Sequence, residues 1–215
     1  RAGSFAQNAA SRLPKLPEDG FDAVVCTGDF LPSAMRQRMD GSWGWAGRVT
    51  DRAYQQDWLL GKSAELVAWL RGKPFLWCPG NHDIADPVPH LASLGVEVID
   101  TADRFVEWGG RSWYGFPYIN WIVGDWNYER DCVRMLEEVQ AFMAKVRERG
   151  SMPDVLLAHA PLAGLLDRDD YGAYGNMALR NALAYVVEDE PLIAPLPRWY
   201  LCGHVHKPGL QAVAH

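Results

Sequence analysis

The chain has 215 residues, 48% of them apolar, and a net charge of −6, which suits one soluble domain with its own core. The acidic balance argues against a sequence-independent grip on nucleic acid, which needs a basic face to displace counterions, and no apolar run nears the roughly 20 residues of a membrane span; neither partner is expected. Nor does the charge draw in an anionic substrate from a distance, so any phosphate recognition has to come from local cations, a few arginines or metal ions.

The chain alternates between helix-like and strand-like segments. Residues 5–13 read as a helix with Phe5, Ala9 and Leu13 on one stripe, ended by Pro14 and Pro17. Residues 22–27 form a short Val-rich run that suits a buried strand and stops at Gly28-Asp29. Residues 31–50, with Gly41, Gly44, Gly47, Trp43 and Trp45, read as a loop or insertion. An amphipathic helix follows over 52–71, carrying Trp58, Leu59, Leu66, Trp69 and Leu70, with Gly72 as its stop. Residues 75–78 are a second buried strand, broken by Pro79-Gly80. A short helix is expected over 87–94, then strands at 96–99, 104–108 and 112–116, the last two joined by a Gly109-Gly110 hairpin turn. Residues 128–148 read as a long helix with Cys132, Leu136, Val139, Phe142 and Val146 on its inner face. Strands at 154–158 and 199–202, with a helix over 177–187 between them, complete the pattern. It is that of one α/β domain without a linker.

Four cysteines, Cys26, Cys78, Cys132 and Cys202, form no CxxC pair, and three lie inside apolar runs. They read as small buried thiols rather than a disulfide framework. A reducing, cytoplasmic setting is expected, and no secretory signal is visible.

The chemistry-bearing residues sit where strands give way to loops, the place where open α/β sheets bind ligands. The first strand leads into Gly28-Asp29, the second into Gly80-Asn81-His82-Asp83, the third into His159 and the fourth into Gly203-His204-Val205-His206. A buried sheet fixes such strand ends well enough to hold metal ligands in place. Mixed oxygen and imidazole donors suit Mn, Fe, Zn or Co better than Mg or Ca. In extended chain His204 and His206 would leave on opposite faces; a turn at Gly203 is the expected remedy. Each piece alone has a plain structural reading, as a turn, a cap or a hydrogen-bonded core histidine. The four in this order, each after a buried strand, point to a metal centre.

GD, GNHD, H and GHxH, in this order over about residues 20–208, resemble motifs two to five of the calcineurin-like metallophosphoesterases. The resemblance implies an α/β/β/α sandwich of two mixed sheets flanked by helices, and a hydrolase of small phosphoesters that uses two divalent ions and a hydroxide bridging them. By motif, Asp29 would bridge both ions, Asn81, His159 and His204 would complete one site, and His206 would belong to the other. His82 would face the phosphate and protonate the leaving oxygen or stabilise the charge on the phosphoryl group, with Asp83 holding it in orientation.

The family's first motif, D-x-H, occurs nowhere in the 215 residues. With a start at Arg1 rather than Met, and an abrupt beginning at a helix, this leads us to expect a chain truncated ahead of Arg1 and cut short after GHVH. The polar residue many members carry just after GD is also missing, the chain reading Phe30-Leu31-Pro32. Two other readings stand beside the leading one: a phosphoprotein phosphatase, and a non-catalytic scaffold of the same fold. Arg168 and Arg180 are candidate phosphate clamps with an equally plain reading as surface ion pairs. The aromatic stretches 41–58 and 117–127, with Tyr171 and Tyr174, are candidate walls of the cleft, or simply pack on one another.

Overall fold

The computed structural model describes residues 13, 16, 20–37, 39, 43–122, 124–170, 172–189 and 196–205. The expected helix over 5–13, apart from Leu13, lies outside them, as do Tyr171 and His206. The elements, in order, are β1 (Val24–Cys26), β2 (Met35–Gln37), β3 (Trp43–Trp45), α1 (Arg48–Leu70), β4 (Phe75–Trp77), α2 (Val88–Ser93), β5 (Val98–Asp100), β6 (Phe105–Trp108), β7 (Arg111–Phe116), β8 (Ile119–Asn120), β9 (Glu129–Arg130), α3 (Cys132–Arg149), β10 (Val155–Ala158), α4 (Met177–Asp189) and β11 (Trp199–Cys202).

They form two larger sheets: a parallel one in the order β1-β4-β5, and a mixed one in the order β11-β10-β7-β6. Strand side chains alternate between faces, and here both faces are covered. Leu76 and Cys78 from the first sheet meet Trp113, Val155 and Leu157 from the second. The other face of β4, Phe75 and Trp77, packs with Leu59, Leu66, Leu70 and Leu91 of α1 and α2. Tyr114, Phe116, Leu156 and Ala158 pack instead with Met135, Val139, Phe142, Val146, Leu179 and Leu183 of α3 and α4. The result is the expected α/β/β/α sandwich. Phe75, Leu76 and Leu156 are fully buried, and each such side chain stabilises the fold by about 1.5–3 kcal/mol.

Several elements differ from the sequence reading. The 31–50 loop contains an antiparallel hairpin of β2 and β3, and α1 begins inside it at Arg48. Strands of three residues are too short to show a period. The long helix starts at 132 rather than 128, because Glu129 and Arg130 pair with Ile119 and Asn120 and Asp131 caps the helix by accepting from the Arg134 amide at 2.8 Å. Its inner face is Met135, Val139, Phe142, Met143 and Val146; Cys132 and Leu136 are exposed. The Gly109-Gly110 turn is present, both residues at positive φ. Only Cys78 is fully buried, and all four cysteines are free. β11 is not a buried strand: it is outermost among the described strands of its sheet, with Trp199 52% exposed. No described helix is long and apolar enough to cross a membrane.

Parallel pairing brings the functional strand ends together. Cys26 lies beside Trp77 and Ala158 beside Cys202, so the residues after each pair leave the sheets at the same edge.

Candidate metal centre

Asp29 and Asn81 come from the loops after β1 and β4, His159 and His204 from those after β10 and β11. The two sheets meet at the imidazole of His159, which is fully buried. Its Nδ1 lies 2.7 Å from the carbonyl oxygen of Thr27, an acceptor, so Nδ1 carries the proton and Nε2 presents a lone pair. That lone pair faces Asn81 Oδ1 at 2.9 Å and Asp29 Oδ2 at 3.4 Å. Ligand atoms of Asp29, His159 and His204 all lie within 4.8 Å of one another, and the rings of His159 and His204 meet edge to face at 4.9 Å.

This donor set fits a divalent ion. With Nδ1 turned to Thr27, Nε2 and the oxygens of Asn81 and Asp29 converge on one spot, an arrangement that a divalent cation would satisfy. Two ligands held about 2.1 Å from one ion stand about 3.0–3.4 Å apart at octahedral or tetrahedral angles, close to the spacing of His159 Nε2 from Asn81 Oδ1 and Asp29 Oδ2. Asn81 is fully buried and its Nδ2 has no hydrogen-bond partner. An unpaired buried amide costs about 1–3 kcal/mol, so this side chain is turned toward the cluster at the expense of its own hydrogen bonding. Burial alone would raise the Asp29 carboxyl, but the His159 and His82 imidazoles outweigh it and hold the group well below the usual carboxylate range. Burial alone would lower His159, and the Asp29 carboxylate outweighs it to raise the imidazole.

Backbone strain collects at the same place. Asp29 and His204 both adopt left-handed φ, 55° and 66°, a region costly for non-glycine residues and found where function demands it. The turn expected at Gly203 is therefore made by His204 itself; Gly203 is needed for space, since a Cβ there would sit 2.8 Å from Thr27 Oγ1. Gly28, at φ 106°, and Gly80 lie back to back: a Cβ on Gly28 would come within 2.6 Å of Gly80 Cα, and one on Gly80 within 2.6 Å of His159 Cε1. Only glycine at both positions lets the two loops and the imidazole close on one point.

His82 stands beside this group rather than in it. Its amide donates to Asp29 Oδ1 at 2.9 Å, its ring packs on Trp126 with centroids 4.3 Å apart, and its Nδ1 lies 2.7 Å from Ser33 Oγ. The orienting partner of the ring is thus Ser33, not Asp83 as expected. Asp83 accepts from the amides of Leu31 at 2.9 Å and Gly80 at 2.8 Å, pinning the Asp29 loop to the Asn81 loop. Burial, with Asp29 nearby, pushes the Asp83 carboxyl up to about 7 against the pull of those two amides. Ser33 also supplies the polar side chain missing directly after Gly28-Asp29. Phe30 fills that place with packing, against Phe75, Trp58 and Trp69 at 5.1, 5.9 and 6.5 Å between ring centroids.

Other contributors were missed from sequence. Gln55, fully buried on α1, donates to the His82 carbonyl at 2.6 Å and accepts from the Ile84 and Ala85 amides at 2.9 and 2.8 Å. Asn127 donates to the carbonyls of Asp83 and Asn81 at 2.5 and 3.1 Å through its side chain and backbone. Asp51 accepts from Trp45 Nε1 at 2.7 Å and the Ala34 amide at 2.5 Å. Asp51, Gln55 and Leu59 are spaced i, i+4, i+8, so two polar residues on a buried helical stripe were the available signal. Gln55→Leu keeps the volume but strands three backbone groups. We expect a loss of roughly 3 kcal/mol, seen as a fall in Tm of about 6–12 °C; an unchanged melting curve would show that the loop holds itself.

The remaining candidates fall differently. Arg180 donates to the Ala163 carbonyl at 2.9 Å and so serves the fold of its own segment. Trp45 and Trp126 meet at 5.7 Å to wall the His82 side, and Tyr174 meets the His204 ring edge to face at 5.9 Å. No curated protein matches the chain. A family model, calcineurin-like phosphoesterase, matches residues 5–208; the chain belongs to the calcineurin-like phosphoesterase family, whose members are metal-dependent phosphoester hydrolases.

Proposed function

We propose that the protein hydrolyses small phosphate mono- or diesters with two divalent metal ions, Mn, Fe, Zn or Co, in a reducing, cytoplasmic setting. The observation that carries this is the convergence of Asp29, Asn81, His159 and His204 from four strand ends, with His82 immediately beside them. Those four would hold one ion; Asp29 would also reach the second, to which His206 is assigned by its motif alone. The bound ions supply positive charge at the phosphoryl oxygens and lower the pKa of water, which is the chemistry hydrolysis needs.

This chain's own residues do the rest. Ser33 on Nδ1 and Trp126 on the ring face fix His82 in two directions, leaving Nε2 to donate its proton to the oxygen that departs as the bond from phosphorus breaks. Trp45 and Trp126 narrow the cleft on that side, which favours a small ester over a folded phosphoprotein. Four free cysteines support the reducing setting. A ring so constrained has no evident use in a scaffold.

The direct test is turnover of a bis-aryl phosphate and an aryl monophosphate by chelated protein, then with Mn added. Metal-dependent release of the aryl alcohol from at least one is expected, and the ratio of the two rates separates diesterase from monoesterase. Absence of metal-dependent turnover of both would sink the proposal.

A further inference from the structure

A cavity of about 170 Å³ opens against His204, lined by Asn120, Trp121, Ile122, Ala173 and Tyr174. Two segments build it, one running from β8 into the loop before β9, the other following β10. Both are fastened to the core. The Trp121 amide donates to the Arg130 carbonyl at 2.9 Å. The Ile122 amide donates to Glu129 Oε1 at 3.0 Å and the Gly124 amide to Glu129 Oε2, and Glu129 is itself buried. On the other side the Tyr174 amide donates to the Asp167 carbonyl at 2.8 Å. Asn120 Nδ2 joins the two walls by donating to the Gly175 carbonyl at 2.9 Å.

On this fixed frame Trp121 is 60% exposed and Ile122 39% exposed. The backbone that carries this indole is fixed and the indole lies close to Gly124, which lowers the ordering that a partner covering it has to impose. An apolar cavity of about 150 Å³ takes a benzene ring, so the volume here, open to solvent on one side, holds one six-membered ring. His204 is part of the lining, so a ring seated here lies beside the metal centre.

We propose that this cavity is the subsite for the organic group of the substrate, a single aromatic ring joined directly to the phosphoryl oxygen or phosphorus, with Trp121 as its specificity-determining residue. The proposal rests on the phosphoester-hydrolase reading. Aromatic rings attract in offset-stacked and edge-to-face arrangements, and Ile122 and Ala173 add apolar side chains to the lining.

The test uses two non-hydrolysable probes, phenylphosphonate and methylphosphonate, titrated calorimetrically into the Mn-loaded 215-residue protein and into Trp121→Ala and Trp121→Phe. Phenylphosphonate is expected to bind about tenfold more tightly than methylphosphonate, and Trp121→Ala to bring that ratio to within about twofold, with most of it restored in Trp121→Phe. Equal binding of the two probes by the unaltered protein would overturn the subsite alone. So would a preference that survives Trp121→Ala; a melting curve that matches the parent's shows that a lost preference is not lost folding, as the 60% exposure of Trp121 leads one to expect. Failure of both probes to bind in a Mn-dependent manner would overturn the hydrolase reading and the subsite with it.

Discussion

Asp29→Asn is expected to abolish metal binding at the described centre and hydrolysis with it. Asp29 is the only anionic donor among Asp29, Asn81, His159 and His204, so the exchange leaves a divalent ion with neutral ligands alone. It also sets an amide against a lone pair of His159, whose Nδ1 proton is committed to Thr27. The loss should exceed the roughly 10–100-fold that removal of a mere supporting partner costs a metal site. Two readouts apply. Metal analysis of the purified variant should find the centre depleted. Added Mn should raise the Tm of the parent protein, by about 5–10 °C at a hundredfold excess over Kd, and leave the variant where it was. A variant that kept full metal content would remove Asp29 from the ligand set.

The strand ends were legible because a buried strand followed at once by Asp, Asn or His is an uneconomical sequence unless something binds there. The sheets were legible for a related reason: runs such as Val155–Ala158 are apolar on both faces, as a strand between a sheet and a helical layer has to be. The partner of His82 was not. Ser33 lies 49 residues from it in the chain, and a serine in a loop carries no period and no motif that marks a distant contact. Asp83 invited the opposite error. Next to the histidine in sequence, it faces away from it and serves the backbone of two loops instead. Val139, Phe142 and Val146 lie on the inner face of α3 as expected, but Cys132 is exposed at the first position of the helix, just after β9, and Met135 rather than its neighbour Leu136 turns inward. Three-residue strands such as β2 and β3 cannot announce themselves by alternation, and their pairing is set by Asp51 gripping Trp45 and the Ala34 amide.

His82→Ala separates chemistry from metal binding. The contact that ties His82 to the metal centre is its backbone amide on Asp29 Oδ1, 2.9 Å away, and an alanine keeps that amide. The Gln55 contacts to the same loop are also made by backbone atoms of residues 82, 84 and 85. Metal content and the Mn-induced rise in Tm should therefore survive. What the substitution deletes is a ring fixed by Ser33 and Trp126, and kcat should fall by about 10²–10⁴, the usual worth of a positioned acid. The deficit should shrink for substrates whose leaving group is acidic enough to depart without a proton, and grow for alkyl esters. Ser33→Ala tests the orientation separately. With Trp126 still against the ring face, kcat should drop by about tenfold or less with little change in KM, and Ser33→Thr should restore most of it, since the hydroxyl is what Nδ1 meets. If His82→Ala instead lost metal in proportion to activity, the imidazole would be a ligand and its place beside the centre would need another explanation. If it lost neither, proton donation would have to come from elsewhere in the cleft.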